Sequence, residues 1–147
     1  MGVLLSLHRT AVIIPAGYGD SLPGSKDWDA AVSPIRAHRV AIYALTPVGP
    51  VPEAYALHNP FLFEFDVESA LVQREALLRI ATWVALYGPQ HEKVVLVARG
   101  PLMRVWSVAV RKLPQAERVE VLYLRRSRVG LRDSVFCKQL ARRVAAR

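Results

Sequence analysis

Two short segments, Gly17-Tyr18-Gly19-Asp20-Ser21 and Arg99-Gly100-Pro101-Leu102-Met103-Arg104, hold the residue types that could grip a phosphate. Each follows an apolar run and contains glycine, which lets the backbone come close to a ligand. Pro101 suits the first position of a helix, where its missing amide hydrogen costs nothing. A helix starting there offers free amide donors and the positive end of its dipole to an anion. Arg99 and Arg104 flank that start with guanidinium groups able to make bidentate phosphate contacts. Tyr18 supplies a ring on which a base could stack. The plainer alternative is that Gly100 is a turn, the arginines are solvated and Tyr18 packs its own loop.

Other chemistry finds little footing. Gly17-Tyr18-Gly19 lacks the third glycine of a dinucleotide fingerprint, and the chain has no Gly-Lys-Ser/Thr phosphate loop. His8, His38, His58 and His91 are scattered, and Ser21, Ser33 and Ser69 lie in no nucleophile elbow. Asp27 with Asp29 reads as a helix start rather than a metal pair. Cys137 is the one cysteine, so no internal disulfide forms and no zinc spacing exists. No catalytic residue, metal or cofactor is therefore assigned, and a reducing compartment is expected.

Charge is distributed unevenly. Residues 1 to 98 carry 7 Lys/Arg and 9 Asp/Glu, net −2, whereas residues 99 to 147 carry 13 Lys/Arg and only Glu117, Glu120 and Asp133, net +10. Such one-sided charge concentrates phosphate-bearing ligands or acidic partners by long-range attraction, unless it is merely a solvated face. Arg outnumbers Lys 16 to 4 and Asn59 is the only asparagine, a composition that hints at a thermophilic source.

The elements that must position these segments follow from the apolar pattern. The 147 residues make one domain, with apolar stretches too short for a membrane span. Met1 to Ser6 has no basic residue ahead of its apolar run and Arg9 soon interrupts it, so a signal or lipid anchor is not expected. A soluble cytoplasmic protein is the expectation.

Thr10 to Pro15, Arg39 to Thr46, Lys93 to Ala98 and Arg118 to Leu124 read as strands, being compact β-branched runs. Phe61 to Phe65 reads as a further short strand. Asp27 to His38 has room for a helix that Pro34 should end or kink. Pro47 to Pro60, with four prolines in fourteen residues, reads as a surface loop with at most one helical turn around Glu53 to Leu57. Asp66 caps a helix predicted from about Val67 to Tyr87, stopped by Gly88-Pro89. Further helices are expected over Pro101 to Leu113 and from about Asp133 to Ala146. The last should turn Val135, Phe136, Leu140 and Val144 inward and Arg132, Arg142, Arg143 and Arg147 outward. Alternating strands and helices with solidly apolar strands describe a doubly wound α/β sheet, covered on both faces. Ligands of such sheets bind beyond the carboxyl ends of the strands, near the switch in strand order.

From about Thr10 to Arg125 the chain resembles the CRISPR-associated Rossmann-fold (CARF) domain, in particular that of archaeal CRISPR regulators. The resemblance rests on the run from helix 67–87 through the strand at Lys93 to Ala98, the turn Arg99-Gly100, helix 101–113 and the strand at Arg118 to Leu124. Gly17-Tyr18-Gly19-Asp20 is similar to the family's first loop. The second loop departs from the family, having one glycine followed by Pro101 where a glycine pair and a hydroxyl residue are common. The resemblance implies a single Rossmann-like domain, 1–125, with a mostly parallel sheet and helices on both faces. The basic C-terminal helix, 126–147, would pack on it or lead to a dimer contact. It further implies a homodimer that binds cyclic oligoadenylate, or another anionic nucleotide, through Gly17, Tyr18, Gly19, Asp20, Ser21, Arg99, Gly100 and Arg104. Binding without catalysis is the preferred expectation, with ring cleavage as its enzymatic variant. The alternative is a basic DNA- or RNA-binding component that uses Arg125, Arg126, Arg128, Arg132, Arg142 and Arg143. A third option gives the apolar side of the final helix to dimerisation.

Overall fold

The computed structural model describes residues 9–15, 22–46, 49–63, 70–87, 91–99, 109–113, 116–124 and 134–145. Five strands form one sheet: β1 (Thr10–Pro15), β2 (Val40–Thr46), β3 (Gly49–Pro52), β4 (Lys93–Arg99) and β5 (Val119–Leu124). Their order is β3-β2-β1-β4-β5. β1 runs parallel to β2 and to β4, β4 runs parallel to β5, and β3 is antiparallel to β2. The central strands are buried on both faces, which is why Ala11 to Ile14 reads as an unbroken apolar run rather than an alternation.

Helices cover both faces. Val12 and Ile14 of β1 and Val95 and Val97 of β4 point to one face, where they meet Trp28, Ala31, Val32 and Ile35 of α1 (Lys26–Arg36) and Leu140 and Val144 of α4 (Ser134–Ala145). Ala11, Ile13, Val94 and Leu96 point to the other, where Ile80, Trp83 and Val84 of α3 (Ala70–Tyr87) and Val110 pack. The alternation of β1 and β4 residues between two cores is the period-2 geometry of a strand expressed in three dimensions. The chain is thus a doubly wound α/β domain of the Rossmann-like kind.

Several expectations are corrected. Pro34 does not end the first helix; α1 continues through it to Arg36. A proline at that position leaves the carbonyl of Ala30, four residues earlier, without its helical donor. The Cys137 thiol of α4 donates to that carbonyl at 3.4 Å. The span 47–60 is not only loop, because Gly49–Pro52 pairs with β2 as an edge strand. Thr46 Oγ1 donates to the Gly49 carbonyl at 3.0 Å and closes the hairpin. Pro50 and Pro52 lie two apart, hence in one phase of the strand, and edge strands tolerate proline where the missing donor faces outward. The single helical turn expected around Glu53 to Leu57 is present as α2 (Glu53–Leu57). Phe61 to Phe63 is not strand: Pro60–Phe63 is a 3-10 turn in which the Leu62 amide donates to the Asn59 carbonyl at 3.1 Å.

The Asp66 cap and Pro101 to Val108 lie outside the described residues. Of the expected 101–113 helix, the described end is a 3-10 turn at Val110–Lys112.

Candidate functional site

Strand order reverses between β1 and β4. From β1 the chain crosses by α1 to β2 on one side, whereas β4 leads to β5 on the other. β1 and β4 are parallel neighbours, Thr10 level with Lys93 and Ile13 with Leu96. Their carboxyl ends, Pro15 and Arg99, therefore leave the sheet side by side at the same edge. That edge of a doubly wound sheet is left uncovered by the crossovers on either side, and ligands lodge there.

Each candidate ligand residue can be placed against this frame. Gly17, Tyr18, Gly19, Asp20 and Ser21 follow β1, and Gly100 and Arg104 follow β4; all seven lie outside the described residues. Arg99 is the last residue of β4, its backbone opposite Leu124 of β5. The topology thus sets the strand ends that precede the two glycine-bearing segments, Pro15 and Arg99, at one edge of the sheet. α1 starts after the first segment, with Ser25 as its cap accepting the Trp28 amide at 3.2 Å. Asp27 and Asp29 occupy its first turn and already complement the positive end of its dipole.

Arg125, Arg126, Arg128 and Arg132 lie outside the described residues, while Arg142 and Arg143 occupy the last turn of α4. Arg143 pairs with Glu120, and its carbonyl accepts from Lys93 Nζ at 2.6 Å. Lys93 also pairs with Glu120 at 2.9 Å. Lys93 opens β4 and Glu120 is the second residue of β5, so this cluster marks the amino end of the sheet. Arg99 and Arg143 are therefore at opposite ends of the strands, and Arg143 is engaged internally. Arg142 is exposed, as is Lys138 one turn before it. Leu140 and Val144 are buried in the core of their own domain, so they are not available to a dimer contact.

Elsewhere among the described residues, polar side chains link neighbouring elements. Trp28 Nε1 donates to Glu53 at 2.8 Å, and Arg36 donates to the other oxygen of the same carboxylate at 2.9 Å. This ties α2 to both ends of α1, and the hydrogen bond to Glu53 holds the Arg36 guanidinium above its ordinary pKa. Sequence reasoning passed over Glu53 because nothing in its neighbourhood marks a contact with a helix so far back in the chain. His91 is buried and stacks on Trp83, with ring centroids 6.1 Å apart and an 11° interplanar angle. His38 and His58 are exposed. Among the described residues, no group of three His, Cys, Asp or Glu could hold a metal. No helix among them is long and apolar enough to cross a membrane.

Comparison with protein-family models, curated proteins and solved structures gives no significant match.

Proposed function

We propose that this domain binds a phosphate-bearing nucleotide at the carboxyl edge of β1 and β4, through Gly17 to Ser21 and Arg99 to Arg104. The reversal of strand order between these two strands is the observation that carries the reading, because it sets side by side the strand ends, Pro15 and Arg99, that the two glycine-containing segments follow in sequence. The surplus of basic residues from Arg99 onward supplies the charge to attract such a ligand. The resemblance to the CARF domain supports cyclic oligoadenylate as the nucleotide, with ligand held between two copies and retained rather than cut. Of the arginines of the nucleic-acid alternative, Arg143 pairs with Glu120 and Arg142 is exposed.

Isothermal titration with cyclic tetra- and hexa-adenylate, and with AMP as a mononucleotide control, tests the proposal. Heat with a cyclic ligand that is lost in Arg99→Glu and retained in Arg142→Glu is expected. Heat with AMP alone would keep the site and replace the cyclic ligand. Absence of heat with all three, from folded protein, overturns the reading. Chromatography of the bound ligand after incubation separates holding from cutting.

A further inference from the structure

Each of the four parallel strands is entered through a basic residue. Arg39 precedes Val40 of β2, Arg9 precedes Thr10 of β1, Lys93 opens β4 and Arg118 precedes Val119 of β5. The registers bring these residues to within one position of a common level, since Val40 and Lys93 both lie opposite Thr10 and Val94 lies opposite Val119. In strand order they make a row across the amino edge of the sheet, Arg39, Arg9, Lys93 and Arg118, with neighbouring strands about 4.8 Å apart. More charge flanks the row. Arg111 and Lys112 are exposed in the turn that leads towards β5, and Arg142 and Arg143 are in the last turn of α4, which Arg143 ties to Glu120.

This edge thus holds eight Lys/Arg against Glu92, Glu117 and Glu120, net +5. The other described residues hold six Lys/Arg against four Asp/Glu, net +2, so the described surplus is concentrated at the end of the sheet opposite Pro15 and Arg99. Lys93 and Arg118 are partly engaged within the protein, with Glu120 and with the His91 carbonyl. Arg9 and Arg39 are open to a ligand. The Arg9 side chain is 71% exposed and meets Glu92 only at 4.0 Å. Arg39 is exposed and ion-pairs with none of the described carboxylates. It is also the only described residue other than glycine at positive φ, 56°. Glycine fills such a place after a helix at no steric cost, so the backbone gives no reason for an arginine there.

The arrangement fits a polyanion with regularly spaced charges. Four strands at that spacing make a row about 14 Å long, which follows a chain of phosphates rather than a single one. Six of the eight cations are arginine, whose planar fork matches phosphate bidentately. We infer that the amino edge of the parallel sheet docks the sugar-phosphate backbone of a nucleic acid strand, with Arg9 and Arg39 as its principal contacts. Contacts to phosphate carry no sequence information, so binding is indifferent to base order. The surface uses neither Arg99 nor the glycine-bearing segments, and it stands or falls separately from the nucleotide reading.

Fluorescence anisotropy over a salt series, with a labelled single-stranded RNA and with DNA of the same sequence, tests it. The wild-type chain is expected to bind, with log affinity falling linearly against log salt. Arg9→Gln and Arg39→Gly should each reduce that slope by about 0.7, the share of one phosphate contact on a single strand, while Arg74→Gln on α3 leaves it unchanged. Arg39→Gly should also keep the urea midpoint near the wild-type value, because glycine takes the same φ without strain. Arg111→Gln/Lys112→Gln should lower the slope from the other flank and so serves if an Arg9 or Arg39 variant misfolds. Arg99→Glu, which removes a contact of the proposed nucleotide site, should bind both polymers as the wild type does. A preference between RNA and DNA identifies the source of the backbone. No binding by the folded chain at low salt, undiminished slopes in Arg9→Gln and Arg39→Gly, or equal affinity for vesicles of anionic phospholipid overturns the inference.

Discussion

Glu53 shows how much one side chain can do at the residue scale. Trp28 is fully buried, and its indole N–H ends on a carboxylate whose other oxygen receives Arg36. The two bonds differ in worth, because the indole is removed from water while the Arg36 side chain is 44% exposed and screened. Glu53→Gln keeps a carbonyl acceptor for Trp28 and loses mainly the ion pair, so it should cost less than about 1 kcal/mol. Glu53→Ala strands the buried donor and should cost about 1–3 kcal/mol more. Urea midpoints compare the two, and equal costs would show that the indole bond contributes nothing. On the arginine side the contribution does not titrate near neutrality: a raised folded-state pKa gives stability complete below the unfolded value and lost only as pH rises through the folded one. None of this was legible in the sequence, where Trp28 and Glu53 are separate features of unrelated segments. The arginines at either end of the basic third were visible there as a single surplus. Only the fold separates Arg99, at the carboxyl end of β4, from Arg143, bound to Glu120 near the amino end of β5.

At the scale of elements, the strands buried on both faces were the legible ones, since their position demands continuous β-branched runs such as Val12-Ile13-Ile14. β3 was hidden because Pro50 and Pro52 argue against a strand everywhere except at an edge, and edge position is a property of the sheet rather than of the segment. The aromatic alternation at Phe61 to Phe63 misled in the opposite direction, since one half-buried Leu62 between turn residues imitates a strand's alternation. Pro34 does not end α1, which runs on to Arg36, and a neighbouring helix meets the loss: α4 supplies the Cys137 thiol to the carbonyl the proline leaves without a helical donor. The two positions should consequently be coupled. Cys137→Ala should cost about 1 kcal/mol with Pro34 present and a few tenths less in a Pro34→Ala background, where the new backbone amide reaches the same carbonyl. A double-mutant cycle by chemical denaturation measures the difference, and strict additivity would show that the thiol does no more than fill space.

For the whole molecule, the sequence conveyed the class of fold but not the arrangement that makes a site of it. Segments resembling ligand loops were visible after two strands, and what the sequence withheld was that those strands are neighbours. Nothing in Thr10 to Pro15 says that it pairs with Lys93 to Leu96 rather than only with Val40 to Leu45. That same pairing has a consequence in time. β1, α1, β2 and β3 form contacts within the first third of the chain, but the other side of β1 must wait for a strand more than half the chain away. Closing so long a loop is entropically costly before any contact repays it. Contacts among β1, α1 and β2 should accordingly form early, and those of α4 late. Val32→Ala is expected to slow folding, whereas Leu140→Ala should chiefly hasten unfolding, as read from the two arms of a stopped-flow chevron. The opposite assignment would place the nucleus in the C-terminal half. In the expected order, the edge where Pro15 and Arg99 leave the sheet is among the last parts of the protein to exist, and an N-terminal fragment folding ahead of β4 would hold only one side of it.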